Sequence, residues 1–531
     1  MGALTLKSFP YELRGWDIES FESIDPTDSF GYSTRVYTNK NKIVQIEPDY
    51  NSYASNIWLT DKGRQFFDGI FDTRYIHTND FSIDSLSNII KDLIEILYIF
   101  DHCNKHNSKT YFFTIVFEYL SLEILTILYL ISQNYSFLTI KRAENFKINN
   151  DLESYFQLNL YSKKNHLDLS SLCLLLSTNT RYEGYSLNLK LRQRFAKGNF
   201  KCLVIGSLIN LTFPVSFLGS NFKIIETILQ GTNLNCRELK CLNNSILIFN
   251  NEFFKRNNSF NTIEILKKLH SLTIFTKTFN SFNILNCSLS ETGFHTLAKF
   301  STLTGQDLNN FSTLYFLNIN PDNISNLKKI AESKLLNYNL TKNYIPTLFF
   351  NQNKKQNKSV FFSKYFNNFN KEIFLPNSNF YANEGTFVST DGLIKRTTKI
   401  TFSKETTNNW QILRKFLFNF KKSVVFLDKK NNDIIFFNSN ALVDFKNFMN
   451  FQYYAAHSLT NLNFYLNIKT KSFILYQKHT SFKLKTIKLI NTKLKYWLDD
   501  FFNGGKDEYS KNSLILTNCS KLIRSRSSNF F

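Results

Sequence analysis

The chain is poor in the residues that punctuate and cross-link folds, with 16 Gly, 7 Pro, 7 Cys and 2 Met in 531 residues. The cysteines (Cys103, Cys173, Cys202, Cys236, Cys241, Cys287 and Cys519) are scattered and odd in number, and no Cys-x-x-Cys occurs. That argues against a disulfide framework or a zinc ribbon and fits a reducing compartment. There is no G-x-G-x-x-G, P-loop, H-E-x-x-H or G-x-S-x-G, so dinucleotide binding, metalloprotease and serine-hydrolase chemistry have no motif to rest on. No long apolar run is free of charge. The best candidate, Phe112–Ile131, carries Glu118 and Glu123 in its middle and reads better as a strand followed by a helix. No secretory signal is visible.

Hydrophobic residues make up 43% of the chain and charged residues 20%, the balance of a globular protein long enough for several subdomains. The excess is in 56 Phe and 26 Tyr. Phe, Tyr, Asn, Lys and Ile use AT-rich codons, so the bias reads as the signature of an AT-rich, organellar genome. Single aromatics are therefore not signs of function. The net charge of +22 is uneven: residues 1–78 hold 8 Lys/Arg against 11 Asp/Glu, and residues 401–531 hold 21 against 8. A basic segment of this kind suits RNA, anionic lipid or an acidic partner. Lysine gathered on a solvated face by codon drift is the favoured reading.

Along the chain, residues 1–78 read as a β-rich opening subdomain. Ser33–Tyr37 and Ile43–Glu47 form a hairpin around the polar turn Thr38–Lys42, approached through an acidic, turn-rich stretch. Residues 79–400 alternate helix and strand, the pattern of stacked, doubly wound α/β units. Asp84 caps a helix with Leu86, Ile89, Ile90, Leu93, Ile94 and Leu97 on one face. Tyr111–Phe117 is a strand apolar on both faces, leading into a helix with Leu122, Leu125, Leu128 and Leu130. Leu172–Leu176 is a buried strand ending in the polar turn Ser177–Arg181, followed by a basic helix, Lys190–Lys197, and a strand, Lys201–Ser207. Further strands are expected at Ser245–Phe249, Thr313–Ile319 and Thr347–Asn351. Asp391-Gly392 is a two-residue hairpin turn signal. Asp101–His106 holds metal-ligand residue types, but no second pair nearby completes a tetrahedral site, so it reads as a polar helix end. Glu19, Glu22, Asp25 and Asp28 recur every third residue; bonding to backbone donors in turns is favoured for them over acid/base catalysis.

Four ordered blocks carry a family resemblance. Arg14-Gly15-Trp16-Asp17, Glu22-Ser23-Ile24-Asp25, Asp28 and Gly31 are followed by Trp58-Leu59-Thr60-Asp61-Lys62-Gly63-Arg64 and Asp68-Gly69. Leu175–Glu183 with Val204–Ser207 and Asn210–Thr212 make the second block. Ile373–Pro376 with Glu384–Lys399 make the third, and Asp507–Ser513 with Cys519 the fourth. Together they resemble the molybdopterin-oxidoreductase-like region in the large iron–sulfur subunit of respiratory complex I. The resemblance implies an α/β, degenerate molybdopterin-oxidoreductase fold: a small β-rich subdomain, then doubly wound, Rossmann-like subdomains, with 401–531 a basic divergent tail.

Cluster-bearing relatives in this fold family supply four thiolates to a [4Fe–4S] cluster from the opening segment. Aligned on Gly31 and Leu59–Arg64, those positions fall on Ser23, Pro26, Phe30 and Thr60, so the resemblance implies no cluster and no metal here. The turn after Tyr111–Phe117 reads Glu118-Tyr119 where many relatives have glycines, which implies a vestigial pterin crevice; Thr178, Asn179, Arg181, Glu384 and Arg396 are then retained architecture. Trp16, Glu22, Asp25, Asp28, Trp58, Asp61, Arg64 and Asp68 are expected as structural and interface hubs.

The family's large polypeptide also has a Cys-rich, ferredoxin-like region that is absent from this sequence. The expectation is a non-catalytic scaffold of mitochondrial NADH:ubiquinone oxidoreductase on the matrix side of the inner membrane, organelle-encoded. Its expected partners are a separate Cys-rich iron–sulfur half and other peripheral-arm subunits, which carry the clusters and FMN. No nucleic acid is expected, and membrane association comes only through the complex. The alternatives are an active molybdopterin oxidoreductase of a small substrate such as formate, or a basic RNA- or anionic-lipid-binding protein.

Overall fold

The computed structural model describes residues 13–50, 58–71, 112–117, 120–134, 138–143, 166–207, 210–233, 236 and 244–250. It also describes 265, 266, 268, 269, 282–286, 288, 289, 291–293, 301–303, 311–317, 348–351, 371–374, 379–391, 393–401, 409, 410, 413, 510 and 513–527. The expected helix from Asp84, the Asp101–His106 cluster and the stretch 415–500 lie outside these residues.

The opening unit is an antiparallel sheet of β1 (Glu19–Ile24), β2 (Ser33–Asn39) and β3 (Lys42–Pro48), in that order. The first half of the acidic stretch is a strand, with Phe21 opposite Val36 and Ile24 opposite Ser33. Asp25 and Asp28 lie in the turns that follow and accept backbone N–H bonds there, as expected. The hairpin turn is tighter than expected. Lys40 and Asn41 both take positive φ (45° and 69°), the two-residue geometry whose twist matches the flanking strands, so pairing continues to Asn39 and Lys42. Beneath the sheet, Val36, Ile43 and Ile46 meet Leu59, Phe66, Ile70, Tyr381, Ile400 and Leu516, a core drawn from three distant parts of the chain.

Two parallel sheets follow. In the five-stranded sheet the order is β10 (Phe282–Leu285), β9 (Ser245–Asn250), β6 (Leu172–Leu176), β7 (Lys201–Ile205), β8 (Ser216–Gly219). In the six-stranded sheet it is β11 (Ser301–Thr302), β5 (Leu138–Arg142), β4 (Phe112–Phe117), β12 (Phe311–Leu317), β13 (Leu348–Asn351), β14 (Lys371–Phe374). In each, the first strand in sequence lies inside the sheet and later strands add on both sides, which is doubly wound topology with a switch point beside β6 and beside β4. Strands β5, β8, β10, β11 and β14 were not marked by the sequence. Their apolar runs are short or broken, and only pairing to a buried neighbour fixes them as strands.

Strand β6 is buried on both faces. Leu172, Leu174 and Leu176 pack with Leu203, Leu247, Phe222 and Ile225 on one side. Cys173 and Leu175 pack with Cys202, Ile246, Leu187 and Leu191 on the other. The basic helix begins at Tyr185, five residues earlier than its charges mark, because Leu187 and Leu191 hold it on the sheet. A last antiparallel hairpin, β15 (Gly385–Val388) with β16 (Ile394–Thr397), closes through a five-residue loop, Ser389–Leu393, rather than the two-residue turn read at Asp391-Gly392. The Ser389 N–H and Oγ both donate to the Leu393 carbonyl (3.0 and 2.9 Å), and Asp391 is buried instead of turning through solvent.

Candidate functional site

The four positions where the resemblance places cluster thiolates now have structural roles. Ser23 is buried on β1, opposite Thr34. Pro26 is half-buried. Phe30 is fully buried among Leu175, Leu187 and Leu285, stacked on Tyr32 at 5.8 Å. Thr60 caps the helix Asp61–Gln65, its hydroxyl accepting the Gly63 N–H at 3.0 Å. An apolar ring, a proline and two hydroxyls cannot ligate iron as thiolates do, so these residues do not fit a cluster. Thr60→Ala is expected to cost about 1 kcal/mol through loss of that cap, read as a lower urea midpoint.

The loop Asp25–Tyr32 between β1 and β2 is laid against the five-stranded sheet. Gly31 takes φ +53°, and a Cβ there would stand 2.3 Å from Leu289; Phe30 lies against Gly184 and Leu285. Opposite, the helix after Thr60 approaches the same loop so closely that a Cβ on Gly63 would meet the Asp25 carboxylate at 2.5 Å. The glycines admit this contact, and it carries a buried charged set. Asp25 accepts from Thr27 N–H and Oγ (2.9 and 2.6 Å), and Asp28 accepts from the Phe30 N–H at 3.2 Å. From the hairpin, the buried Lys395 Nζ donates to the Phe30 carbonyl at 2.8 Å and lies 5.2 Å from the Tyr32 ring centre.

Burial, with the Asp25 charge beside it, pushes the Asp28 carboxyl up to about 8, against the pull of the Phe30 N–H, Lys395 and Lys62. Burial likewise raises Asp391, which Lys395 and the Ser389 hydroxyl oppose. Burial lowers Lys395, opposed by Asp391 and Asp28.

At the second candidate, the β6 switch point, the polar groups of the turn are engaged with the chain's own side chains. The Asn179 N–H donates to Glu183 Oε2 (3.0 Å) and Asn250 Nδ2 to Glu183 Oε1 (2.5 Å), so one carboxylate bridges the carboxyl ends of β6 and β9. Thr180 Oγ donates to Asn188 Oδ1, and Asn188 Nδ2 to the Leu211 carbonyl, both at 3.0 Å. Arg181 is exposed and reaches the Asn210 carbonyl at 3.3 Å. Thr178 and Asn179 are buried. An anionic pyrophosphate requires free N–H donors and close backbone approach; a carboxylate already holds this position and repels it. The residues do not fit an anionic pterin cofactor. Glu384 and Arg396 pair at 3.7 Å on the hairpin surface, away from this turn in sequence and engaged with each other.

The other expected hubs divide by burial. Asp68 holds the C-terminal helix: its Oδ2 accepts from Ile515 N–H at 3.1 Å, at the start of Leu514–Ser527. Arg64 is half-buried within its helix; Asp61 is exposed, and Glu22 is exposed with Arg35 at 3.9 Å. Trp16 and Trp58 are 80% and 63% exposed, so neither ring anchors the core. Lys395 was read only as part of the Glu384–Lys399 block, and Glu123 only as a charge interrupting an apolar run; neither was expected at the site. A lysine in a strand and a glutamate in an apolar helix become notable only once burial is known.

Among the described residues, no group of three or more His, Cys, Asp or Glu is placed to hold a metal ion, and no helix is long and apolar enough to cross a membrane. Cys173 and Cys202 face each other on β6 and β7; their mutual hydrogen bond and burial raise the Cys173 thiol well above its ordinary range, which keeps it unreactive.

Residues 101–417 match the molybdopterin oxidoreductase family model. The chain is 24% identical over 450 residues to the NADH-ubiquinone oxidoreductase 75 kDa subunit of Reclinomonas americana, covering 78% of this chain and 59% of that protein. It is 24% identical over 552 residues to the 75 kDa subunit of Acanthamoeba castellanii, covering 100% of this chain and 70% of that one. With an NADH-quinone oxidoreductase subunit of Rickettsia felis it shares 24% identity over 322 residues, covering 57% and 46%. The chain therefore spans about half to two thirds of the length of these relatives.

Proposed function

Because the chain belongs to the molybdopterin oxidoreductase family, we propose that it has kept the family's fold and given up its cofactors. On this reading it is a scaffold subunit in the peripheral arm of mitochondrial NADH:ubiquinone oxidoreductase, on the matrix side of the inner membrane. The observation that carries the scaffold reading is Phe30: where a thiolate would reach a cluster, an aromatic ring is sealed into the core of the five-stranded sheet. Glu183 supports it at the second site by occupying the Asn179 N–H and the Asn250 amide at the switch point. The assembly is proposed from the relatives, which are named as subunits of NADH-ubiquinone and NADH-quinone oxidoreductases. Electrons would then pass from NADH to ubiquinone through clusters and FMN on other polypeptides, this chain holding a cluster-bearing partner in place. The finer part, that this partner is a separate Cys-rich polypeptide, rests on the resemblance alone.

The test is native-gel migration from gently solubilised mitochondrial membranes with an in-gel NADH dehydrogenase stain, followed by denaturing separation and metal analysis. Co-migration with the stained band is expected, with no molybdenum in this chain and with cluster iron traced to a different one. Migration as a free species would sink the assembly, and stoichiometric molybdenum in the isolated chain would restore an active molybdopterin enzyme.

A further inference from the structure

We propose that the hairpin β15–β16 is a proton-dependent clasp: its own Asp391 and Lys395 are buried beside the loop that carries Asp28, its Thr386 N–H is held by the buried Glu123 at the other end, and it loosens as these carboxyls ionise. The inference concerns this chain's own packing and does not rest on the proposed assembly.

The hairpin is one of the pieces that tie the opening unit to the rest of the molecule, beside the direct packing of Phe30 and Tyr32 on the five-stranded sheet. Towards the opening loop, Thr390 N–H and Oγ donate to the Ser29 carbonyl (3.1 and 3.2 Å), Lys395 Nζ donates to the Phe30 carbonyl, and Thr398 Oγ donates to the Glu22 carbonyl (2.7 Å). Towards the six-stranded sheet, the Thr386 N–H donates to Glu123 Oε2 (3.0 Å) on the helix Leu122–Asn134. Gly385 lies against Ser121, and Val388 against Gly293. Apart from the exposed Thr398 contact, this seam is largely closed to solvent.

A charge count at the opening-loop end shows why a proton matters. The charged groups gathered there are Asp25 and Asp28 on the loop, Lys62 on the helix after Thr60, and Asp391 and Lys395 on the hairpin. Three carboxyls face two ammonium groups. Burial makes an uncompensated charge costly, so the closed seam is neutral when one carboxyl keeps its proton. Asp28, at about 8, is the one that does. Glu123, fully buried and held by Thr386, is raised in the same direction.

The sign follows from linkage. A carboxyl whose proton is held tighter in the closed state favours closure fully below its ordinary value and loses that contribution as pH rises to its closed-state value. For Asp28 that window runs from about 4 to about 8. Through the Asp28 proton, opening of the hairpin should therefore rise by about tenfold per pH unit within that window and flatten above about 8. Lys395 opposes this at the alkaline end, because its lowered value makes the closed state shed a proton before the open one.

Hydrogen exchange across pH 5–9 on the full-length chain in its isolated state, corrected for intrinsic exchange, reads this directly. Peptides covering 385–397 and 23–32 should show opening that climbs with pH and then levels, while the helix Tyr185–Ala196 stays constant. Asp28→Asn keeps an acceptor for the Phe30 N–H and cannot ionise, so its slope should fall by one proton; Glu123→Gln should make opening less dependent on pH. Should either variant not accumulate, Asp25→Asn carries the test: it removes the like charge beside Asp28 and must move the levelling point to lower pH. Opening independent of pH in the natural sequence, or unchanged slopes and levelling point in the variants, would overturn the clasp.

Discussion

Phe30→Ala is expected to destabilise the protein by about 3–5 kcal/mol, the cost of a large-to-small change in a sealed core. The ring has no exposed surface and packs on Gly184, Leu285 and Tyr32, so its loss leaves a void bounded by a glycine that cannot fill it. Tyr32, which meets Tyr185 edge-on at 5.1 Å, would lose its neighbour as well. The check is a urea titration followed by limited proteolysis. A midpoint shift equivalent to less than about 1 kcal/mol would mean that the opening loop is not part of the sheet's core. Phe30→Leu should recover a substantial share, because volume rather than aromaticity fills the site.

Lys395→Met should cost about 1–3 kcal/mol, the range seen when a buried acceptor is left without its donor. Two losses coincide: the Phe30 carbonyl loses its 2.8 Å donor, and Asp28 and Asp391 lose the ammonium that lowers the penalty of their burial. The remaining carboxyls should bind protons more tightly, so the damage should be smaller at low pH. The double variant Asp28→Asn with Lys395→Met separates this from simple packing. If the two residues are coupled, their combined cost is clearly below the sum of the single costs; strict additivity would show that Lys395 acts alone.

These two side chains also show how far the sequence could be read. Phe30 was legible as a non-ligand, since a missing thiolate is a fact of composition, but not as a core residue. In a chain with 56 Phe, one more aromatic carries little information, and only contact with Gly184 and Leu285 gives it a role. Glu183 was visible in its block, yet its bond to Asn250 spans 67 residues and no local pattern encodes it. The acidic period of Glu19, Glu22, Asp25 and Asp28 was visible too. Its division into two exposed glutamates and two buried aspartates was not, because it depends on where β1 ends and the loop turns inward.

By itself the sequence determined the class of the fold and the absence of thiolates at the four family positions. Strands apolar on both faces alternating with helices permit little other than parallel, doubly wound sheets, and Leu172–Leu176 behaves as that periodicity requires. Tertiary structure decided how the pieces lock. The opening unit shares a core with Tyr381, Ile400 and, from the C-terminal helix, Leu516, and a buried charged seam with the hairpin 385–397, though these parts are far apart in sequence. The reason is physical: periodicity reports which face of an element is apolar, whereas the state of a buried carboxyl depends on which distant charges arrive beside it, and that is fixed only when the chain has closed.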